Sequence, residues 1–251
     1  MFKRIAGKID PKVKAYIPPT PPPSGLTKLL LHMNGDPYST DFPDSSVSGH
    51  TQTANGNAQV ASDGKFSQCA LLDGDYTAGT DIAISNSADF DFADGDFTID
   101  FWFNPLTLPS SGHALLASES DVAWVAIGFG WFQPGSHVIY VSSGSGWDMI
   151  SADGGGPGYN NDQPFNENAW NHFALVRSGT TFMTFVNGIR AINLTGISGS
   201  IYNPDEPKHI GRWGGNLVAR GNFEIDELRI SKGIARWTAN FTPPTSPYTP
   251  D

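Results

Sequence analysis

The run Phe223-Glu224-Ile225-Asp226-Glu227-Leu228 sets two carboxylates two residues apart, alternating with apolar side chains. Residues i and i+2 of a strand share a face. Glu224 and Asp226 could therefore approach the roughly 5–5.5 Å separation at which one carboxyl attacks a glycosidic carbon while the other supplies a proton. Other reactive arrangements have no support. The six histidines, His32, His50, His113, His137, His172 and His209, are scattered without the short spacings of a zinc site. Neither a Gly-x-Ser-x-Gly elbow nor a phosphate-cradling Gly-x-x-x-x-Gly-Lys-Ser/Thr loop occurs. Cys69 is the single cysteine, so no intrachain disulfide can form; within Phe66-Ser67-Gln68-Cys69-Ala70-Leu71-Leu72 it reads as a small core residue.

A second group of residues suits sugar binding. Trp124, Trp131, Trp147, Tyr159 and Trp213 fall beside glycine-rich segments, and Asp148, Asp153, Asn160 and Asn161 accompany the aromatics between Gly144 and Asp162. Flat aromatic faces pack against the C–H faces of sugars, while carboxylates and amides exchange hydrogen bonds with hydroxyls. The segment between Gly144 and Asp162 is long and polar, the kind of loop that carries function. Trp102 and Trp170 sit in strand-like runs and read as core.

The elements that would position these residues are strands. Phe97, Ile99, Phe101 and Phe103 alternate with Thr98, Asp100 and Trp102; Phe173, Leu175 and Arg177 alternate with Ala174 and Val176. No stretch keeps a helical period for three turns. Asp63-Gly64, Asp73-Gly74, Asp94-Gly95, Asp153-Gly154 and Asn187-Gly188 punctuate the runs, and Asn187-Gly188 predicts a hairpin between residues 182–186 and 189–192. Many strands with tight turns make an all-β, two-sheet antiparallel sandwich. The 251 residues, with 39% hydrophobic content, 28 glycines and 16 phenylalanines, suffice for one large core. A net charge of −10 argues against a general nucleic-acid binder, which needs clustered Lys and Arg.

Several motifs together carry a family resemblance. Leu29-Leu30-Leu31-His32-Met33-Asn34-Gly35, Phe42-Pro43-Asp44-Ser45-Ser46, Gly95-Asp96-Phe97-Thr98-Ile99-Asp100-Phe101-Trp102-Phe103, Trp170-Asn171-His172-Phe173-Ala174-Leu175-Val176-Arg177 and the closing run from Asn222 to Pro244 resemble the laminin-G-like, concanavalin-A-like jelly rolls, particularly those of phage virion proteins. The resemblance implies a jelly-roll sandwich over residues 25–251. It also implies a structural Ca²⁺ held by Asp44 and Asp226 with main-chain carbonyls, which calcium's preference for oxygen ligands would accommodate. In glycosidases of this fold the catalytic strand carries a third carboxylate; here those positions are Leu228 and Arg229, which speaks against catalysis.

Residues 1–24 differ from the rest. Lys3, Arg4, Lys8, Lys12 and Lys14 stand against Asp10 alone, and Pro18-Pro19-Thr20-Pro21-Pro22-Pro23 follows as a stiff polyproline spacer, so an extended anchoring arm is expected to end near Ser24-Gly25. No apolar run follows the basic residues, so neither a signal peptide nor a membrane span is expected. The leading expectation is a non-catalytic virion structural protein, a capsid decoration, head fibre or tail appendage made in the host cytoplasm and attached to other virion proteins through the arm. The alternative is a carbohydrate-binding adhesin for host surface glycans, and a glycoside hydrolase is a remote third. Homo-oligomerisation through aromatics such as Trp213 or Trp237 fits either of the first two. The proline-rich tail is expected to lie along the sandwich, anchored by Phe241 and Tyr248.

Overall fold

The alternating run at Phe97 becomes the centre of a large sheet because each of its phenylalanines buries against a second sheet. In the computed structural model, which describes residues 25–75, 77–108, 113–119, 123–130, 133–213 and 221–251, fifteen strands form two antiparallel sheets packed face to face, a jelly-roll sandwich. They are β1 (Thr27–Leu31), β2 (Gln52–Asn55), β3 (Gln59–Ala61), β4 (Cys69–Asp73), β5 (Asp81–Ile84), β6 (Phe97–Pro105), β7 (His113–Ser118), β8 (Val125–Phe129), β9 (His137–Val141), β10 (Tyr159–Asn160), β11 (Asn171–Ser178), β12 (Thr181–Val186), β13 (Ile189–Leu194), β14 (Lys208–Ile210) and β15 (Asn222–Lys232). Two short 3-10 turns, Ala88–Phe90 and Asp153–Gly155, are the helical segments among the described residues. No described helix is long and apolar enough to cross a membrane. The arm residues Lys3, Arg4, Lys8, Lys12 and Lys14 lie outside the described residues.

The eight-stranded sheet runs β13-β12-β11-β6-β15-β4-β3, with β1 beside the far half of β15; the seven-stranded sheet runs β10-β9-β8-β7-β14-β5-β2. Strand β15 is long enough, at 11 residues, to pair with β6 on one side and with both β4 and β1 on the other. Phe97, Ile99, Phe101 and Phe103 of β6 meet Phe129, Phe165, Phe173, Phe182 and Phe223 in one buried cluster between the sheets. Within it Phe103 lies 4.9 Å from Phe129 and 5.4 Å from Phe223, edge to face, the arrangement the ring quadrupole favours.

The other face of β6 is equally buried. Trp102 is 5% exposed and Asp100 fully covered, because residues 233–251 cross the outer face of the eight-stranded sheet. Trp237 and Phe241 stack at 4.0 Å and press on His172 and Phe185, while the Tyr248 hydroxyl reaches His172 Nε2 at 3.0 Å. Beneath the tail, Arg229 donates two hydrogen bonds to Asp100, Nε to Oδ1 at 3.0 Å and Nη2 to Oδ2 at 2.9 Å. Burial alone would raise the Asp100 carboxyl, but the Arg229 charge overrides it and holds the group below the usual range. At the end of the tail Asp251 receives the Arg236 guanidinium at 2.9 Å and accepts from the Thr27 hydroxyl, tying the tail to β1.

The Asn187-Gly188 hairpin joins β12 to β13, with φ of 51° and 78° at its two residues. Those positive angles explain the residue pair. A side chain at Gly188 would also collide with the Phe241 carbonyl, so the turn and the tail depend on the same glycine.

Candidate functional site

On the seven-stranded sheet, Val125, Ile127 and Phe129 of β8 face the core, so Ala126 faces out; on β9, Ile139 and Val141 face the core and Val138 and Tyr140 face out. Ala126 pairs directly with Tyr140 across the strands. Its small side chain leaves the Tyr140 ring room to lie on the sheet, where Ala117 and Ala152 complete the seat.

The chain beyond β9 then builds a corner of aromatic rings over that seat. A bridge between Val141 and Ile150 closes the loop 142–149 at its base. Asp148 holds the loop in shape by accepting from both the main-chain N–H and the hydroxyl of Ser143. Those two hydrogen bonds, the hydroxyl's foremost, keep its exposed carboxyl below the usual range. Trp147 is thereby placed 5.2 Å from Tyr140, at 50°. Trp213, three residues past the end of β14, closes the corner from the other side, 5.3 Å from Tyr140 and 5.8 Å from Trp147. Tyr140 is buried, whereas Trp147, Trp213 and the neighbouring Tyr159 are half-buried, so their rings retain accessible surface.

Asp153 stands beside these rings. The Tyr140 hydroxyl donates to its Oδ1 at 2.9 Å. Burial, and then this bond to a carboxylate, raise the tyrosine above its ordinary value. Asp153 itself is exposed and opens a 3-10 turn whose Gly154 and Gly155 have nothing within 4 Å of a would-be Cβ, so the turn faces open space. The chain returns through Gly158, where any side chain would strike the Ile139 carbonyl, and so brings Tyr159 against Val138 on the outer face.

Trp147, Asp153, Tyr159 and Trp213 therefore meet around Tyr140, with Asp148 fixing the loop beneath them. Asn160 points the other way and donates from its amide to the Ala191 carbonyl of β13 at 3.1 Å. Asn161 donates to Gln133. Trp124 is wholly buried, its indole N–H bonded to the Phe90 carbonyl at 2.9 Å, and serves as core; Trp131 lies outside the described residues. Two aromatics were not singled out in the sequence. Tyr140 is hidden in His137-Val138-Ile139-Tyr140-Val141, a run apolar on both faces, and Tyr202 is half exposed beside Gly144, where a Cβ would sit 3.2 Å from its ring.

The carboxylates of β15 are elsewhere, on the outer face of the eight-stranded sheet. Glu224 accepts from the Asn104 amide at 2.8 Å, and its carboxyl is raised by burial. Asp226 is 1% exposed; its Oδ2 accepts from the Phe66 N–H at 3.2 Å and its Oδ1 is buried with no partner among the described residues. Burial pushes this carboxyl up to about 7. Next to it, Glu227 adopts a left-handed φ of 55° at the bulge in β15 and is held there by His32 at 2.8 Å and by the Tyr248 N–H at 2.7 Å.

Asp44 and Asp226 do not fit a shared calcium site. Each Asp44 oxygen already accepts two hydrogen bonds: Oδ1 from the N–H groups of Leu30 and Ser46, Oδ2 from the Ser46 hydroxyl and the His50 N–H, at 2.8–2.9 Å. Those four donors occupy the lone pairs that a cation would need. Asp226 is enclosed, with its carboxyl raised by burial, and no group of three or more acidic, histidine or cysteine side chains gathers among the described residues. Asp44 instead organises the turn after β1.

Comparison with known proteins bears on this geometry. The family model for the concanavalin A-like lectin/glucanases superfamily, of laminin G type, matches residues 76–236. No curated protein matches in sequence. Among solved structures, the binding domain of the Paraclostridial mosquitocidal protein 1 is similar, at 17% identity and a TM-score of 0.62 over 83% of this chain and 49% of that one. Domain 4 of AbnA, an extracellular arabinanase from Geobacillus stearothermophilus solved with arabinotriose, shares 16% identity and a TM-score of 0.59 over 85% of this chain and 95% of the domain. A botulinum neurotoxin type C structure, whose cell entry depends on interaction with two ganglioside molecules, shares 12% identity and a TM-score of 0.60. It too is covered over 49% of its length, so this chain spans about half of the toxin chains it resembles and nearly all of the arabinanase domain. Identities this low establish a shared fold.

Proposed function

The chain belongs to the concanavalin A-like lectin/glucanase superfamily, and from that premise we propose that it is a non-catalytic carbohydrate-binding domain whose site is the corner of Trp147, Trp213, Tyr140 and Tyr159 with Asp153. The observation that carries the reading is two half-buried indoles converging on one tyrosine that also orients a carboxylate. Stacking surface next to a fixed acceptor is what a sugar ring needs, an apolar face covered and a hydroxyl bonded. The complex of the AbnA domain with arabinotriose supports the same reading by analogy.

A non-catalytic role is supported by the β15 carboxylates, which lie on the other sheet, with half-buried Glu224 bonded to Asn104 and buried Asp226 beneath the Phe66 segment. Titration of the full chain with an oligosaccharide panel, followed by tryptophan fluorescence, tests the proposal. Trp147→Ala should weaken binding by at least about tenfold, or ~1.4 kcal/mol, while Trp237→Ala on the opposite sheet should leave affinity unchanged. Equal affinities for wild type and Trp147→Ala would overturn the assignment. Display of this domain on a virion through residues 1–24 is a second reading, carried by the basic and proline-rich sequence of that segment. Deleting residues 1–24 should then abolish particle attachment and spare sugar binding; a truncated chain that still attaches would refute it.

A further inference from the structure

Building on the proposed carbohydrate site, we infer that it selects neutral oligosaccharides whose chains turn from one residue to the next, and rejects both anionic glycans and flat, ribbon-like chains. Two independent features of the corner lead there, the inclination of its rings and the sign of its charges.

The accessible rings are not coplanar. Trp147 and Trp213 are inclined at 64° with centroids 5.8 Å apart, and Tyr140 stands at 83° to Trp213. A ribbon-like chain presents successive sugar faces in nearly one plane and can lie flat on rings that share that plane. Here, a sugar stacked on one indole directs such a chain edge-on into the other. A chain that bends between residues can give one face to each indole. The corner is also held in advance, by the Val141–Ile150 bridge at its base and the Ser143–Asp148 bonds within its loop. Opening it into a flat platform would break these contacts, so its angle acts as a selector and little ordering cost attends binding.

Among the described residues, the charged groups beside the corner are Asp148, Asp153 and Arg212, with Glu119 paired to Arg212. Arg212 lies 3.4 Å from Glu119, which offsets its charge. Asp148 is exposed, and its Ser143 bonds keep it ionised at neutral pH. Asp153 is exposed and has one oxygen committed to Tyr140. Among the described residues the corner thus presents two carboxylates and one offset guanidinium to a ligand, on a chain whose net charge is already −10. Hydroxyl groups find acceptors there; a carboxylate or sulfate finds like charge, which discriminates by repulsion as well as by lost contacts.

The test titrates the full chain with four probe sets: malto- and arabino-oligosaccharides as neutral turning chains, cello-oligosaccharides as neutral ribbons, sialyllactose, and a sulfated oligosaccharide. A neutral turning probe should bind at least about tenfold more tightly than any of the other three. Raising the salt concentration should narrow the gap to sialyllactose while leaving that to the cello-oligosaccharides in place, since screening acts on exposed charges and not on the ring angle. If a ribbon or an anionic probe binds as well or better and Trp147→Ala still abolishes it, the selectivity inference falls and the carbohydrate site stands. If no saccharide in any set binds, the carbohydrate reading itself falls and this inference with it.

Discussion

Replacing Asp226 by Asn should flatten the pH dependence of stability between pH 4 and 8. In the folded chain the Asp226 carboxyl is pushed from 3.8 to about 7 by burial, with one oxygen unpartnered and Glu227 adjacent. An acid whose pKa is raised by folding binds its proton more tightly in the folded state. Folding therefore takes up protons between about 4 and about 7, and stability falls as pH rises through that window. Below about pH 4 the penalty is absent; above about pH 7 it is fully present. At 1.36 kcal/mol per pKa unit the full displacement corresponds to about 4 kcal/mol. A loop that shifts to admit water would reduce this, and the Lys65-Phe66 segment covering the carboxylate is the segment that could do so. His32, raised by its bond to Glu227, also loses stabilisation as pH rises, but it remains in both proteins and largely cancels in their difference. Urea unfolding of the full chain at pH 4.5 and pH 8 reads the effect: the Asp226→Asn variant should lose at least about 1.5 kcal/mol less than wild type over that interval. Parallel profiles, within about 0.5 kcal/mol, would refute the reasoning, because an ionised carboxylate at this position would then cost nothing.

Three further measurements follow from particular contacts. Asp100→Asn leaves the buried Arg229 guanidinium without its anion and should cost about 3–5 kcal/mol in urea unfolding, whereas the paired Asp100→Leu, Arg229→Met replacement should recover most of that loss; equal losses in both would show that the ion pair itself is stabilising. Burial pushes His137 down to about 3, so its imidazole proton resonances should not move between pH 8 and pH 4, and a titration midpoint near 6.5 would contradict the buried placement. EDTA should leave the melting temperature unchanged, since the Asp44 carboxylate is filled by four hydrogen bonds, while Asp44→Ala, by stranding the Leu30 and His50 N–H groups, should cost about 2 kcal/mol; a calcium-dependent rise in melting temperature would reverse the assignment.

The fold was legible because the signals that set it are local. Phe97, Ile99, Phe101 and Phe103 alternate in the sequence and face the core in β6, and Asn187-Gly188 marks a hairpin that takes the positive φ angles those residues permit. What alternation could not convey is that Thr98 and Asp100 would be buried too, because their cover comes from residues more than a hundred positions away in the chain, Ile234 and Arg236 for Thr98 and Arg229 and Tyr248 for Asp100. The site was half legible for a related reason. A tryptophan near glycines reads alike whether it ends as core, like Trp124, or at the surface, like Trp147; which of the two depends on strand parity and on what the opposite strand carries. Tyr140 escaped notice because His137-Val138-Ile139-Tyr140-Val141 is apolar on both faces, and only its pairing with Ala126 reveals that the ring lies on the outside.

That difference between the two outer faces is what favours the proposed placement of the site. A sheet has two faces and only one can meet the core, so the remaining apolar side chains of each sheet need a cover. On the eight-stranded sheet the chain supplies it: Trp237, Phe241 and Tyr248 close over Ala174, Val176, Phe185 and Trp102, and Asp251 ties the cover down at Arg236. A ligand for the part of that face beneath Trp237, Phe241 and Tyr248 would have to displace a segment held by stacked rings and hydrogen bonds. On the seven-stranded sheet the corresponding residues are Ala117, Ala126, Val138 and Tyr140, and the loop that reaches over them leaves Trp147 and Trp213 with accessible surface at an angle to each other. Half-covered aromatic surface beside exposed carboxylates is poor packing for a core and good packing for a molecule with one apolar and one hydroxylated side. Glu224 and Asp226, which look like chemistry in the sequence, lie on that other outer face, Glu224 half-buried against Asn104 and Asp226 covered by the Phe66 segment.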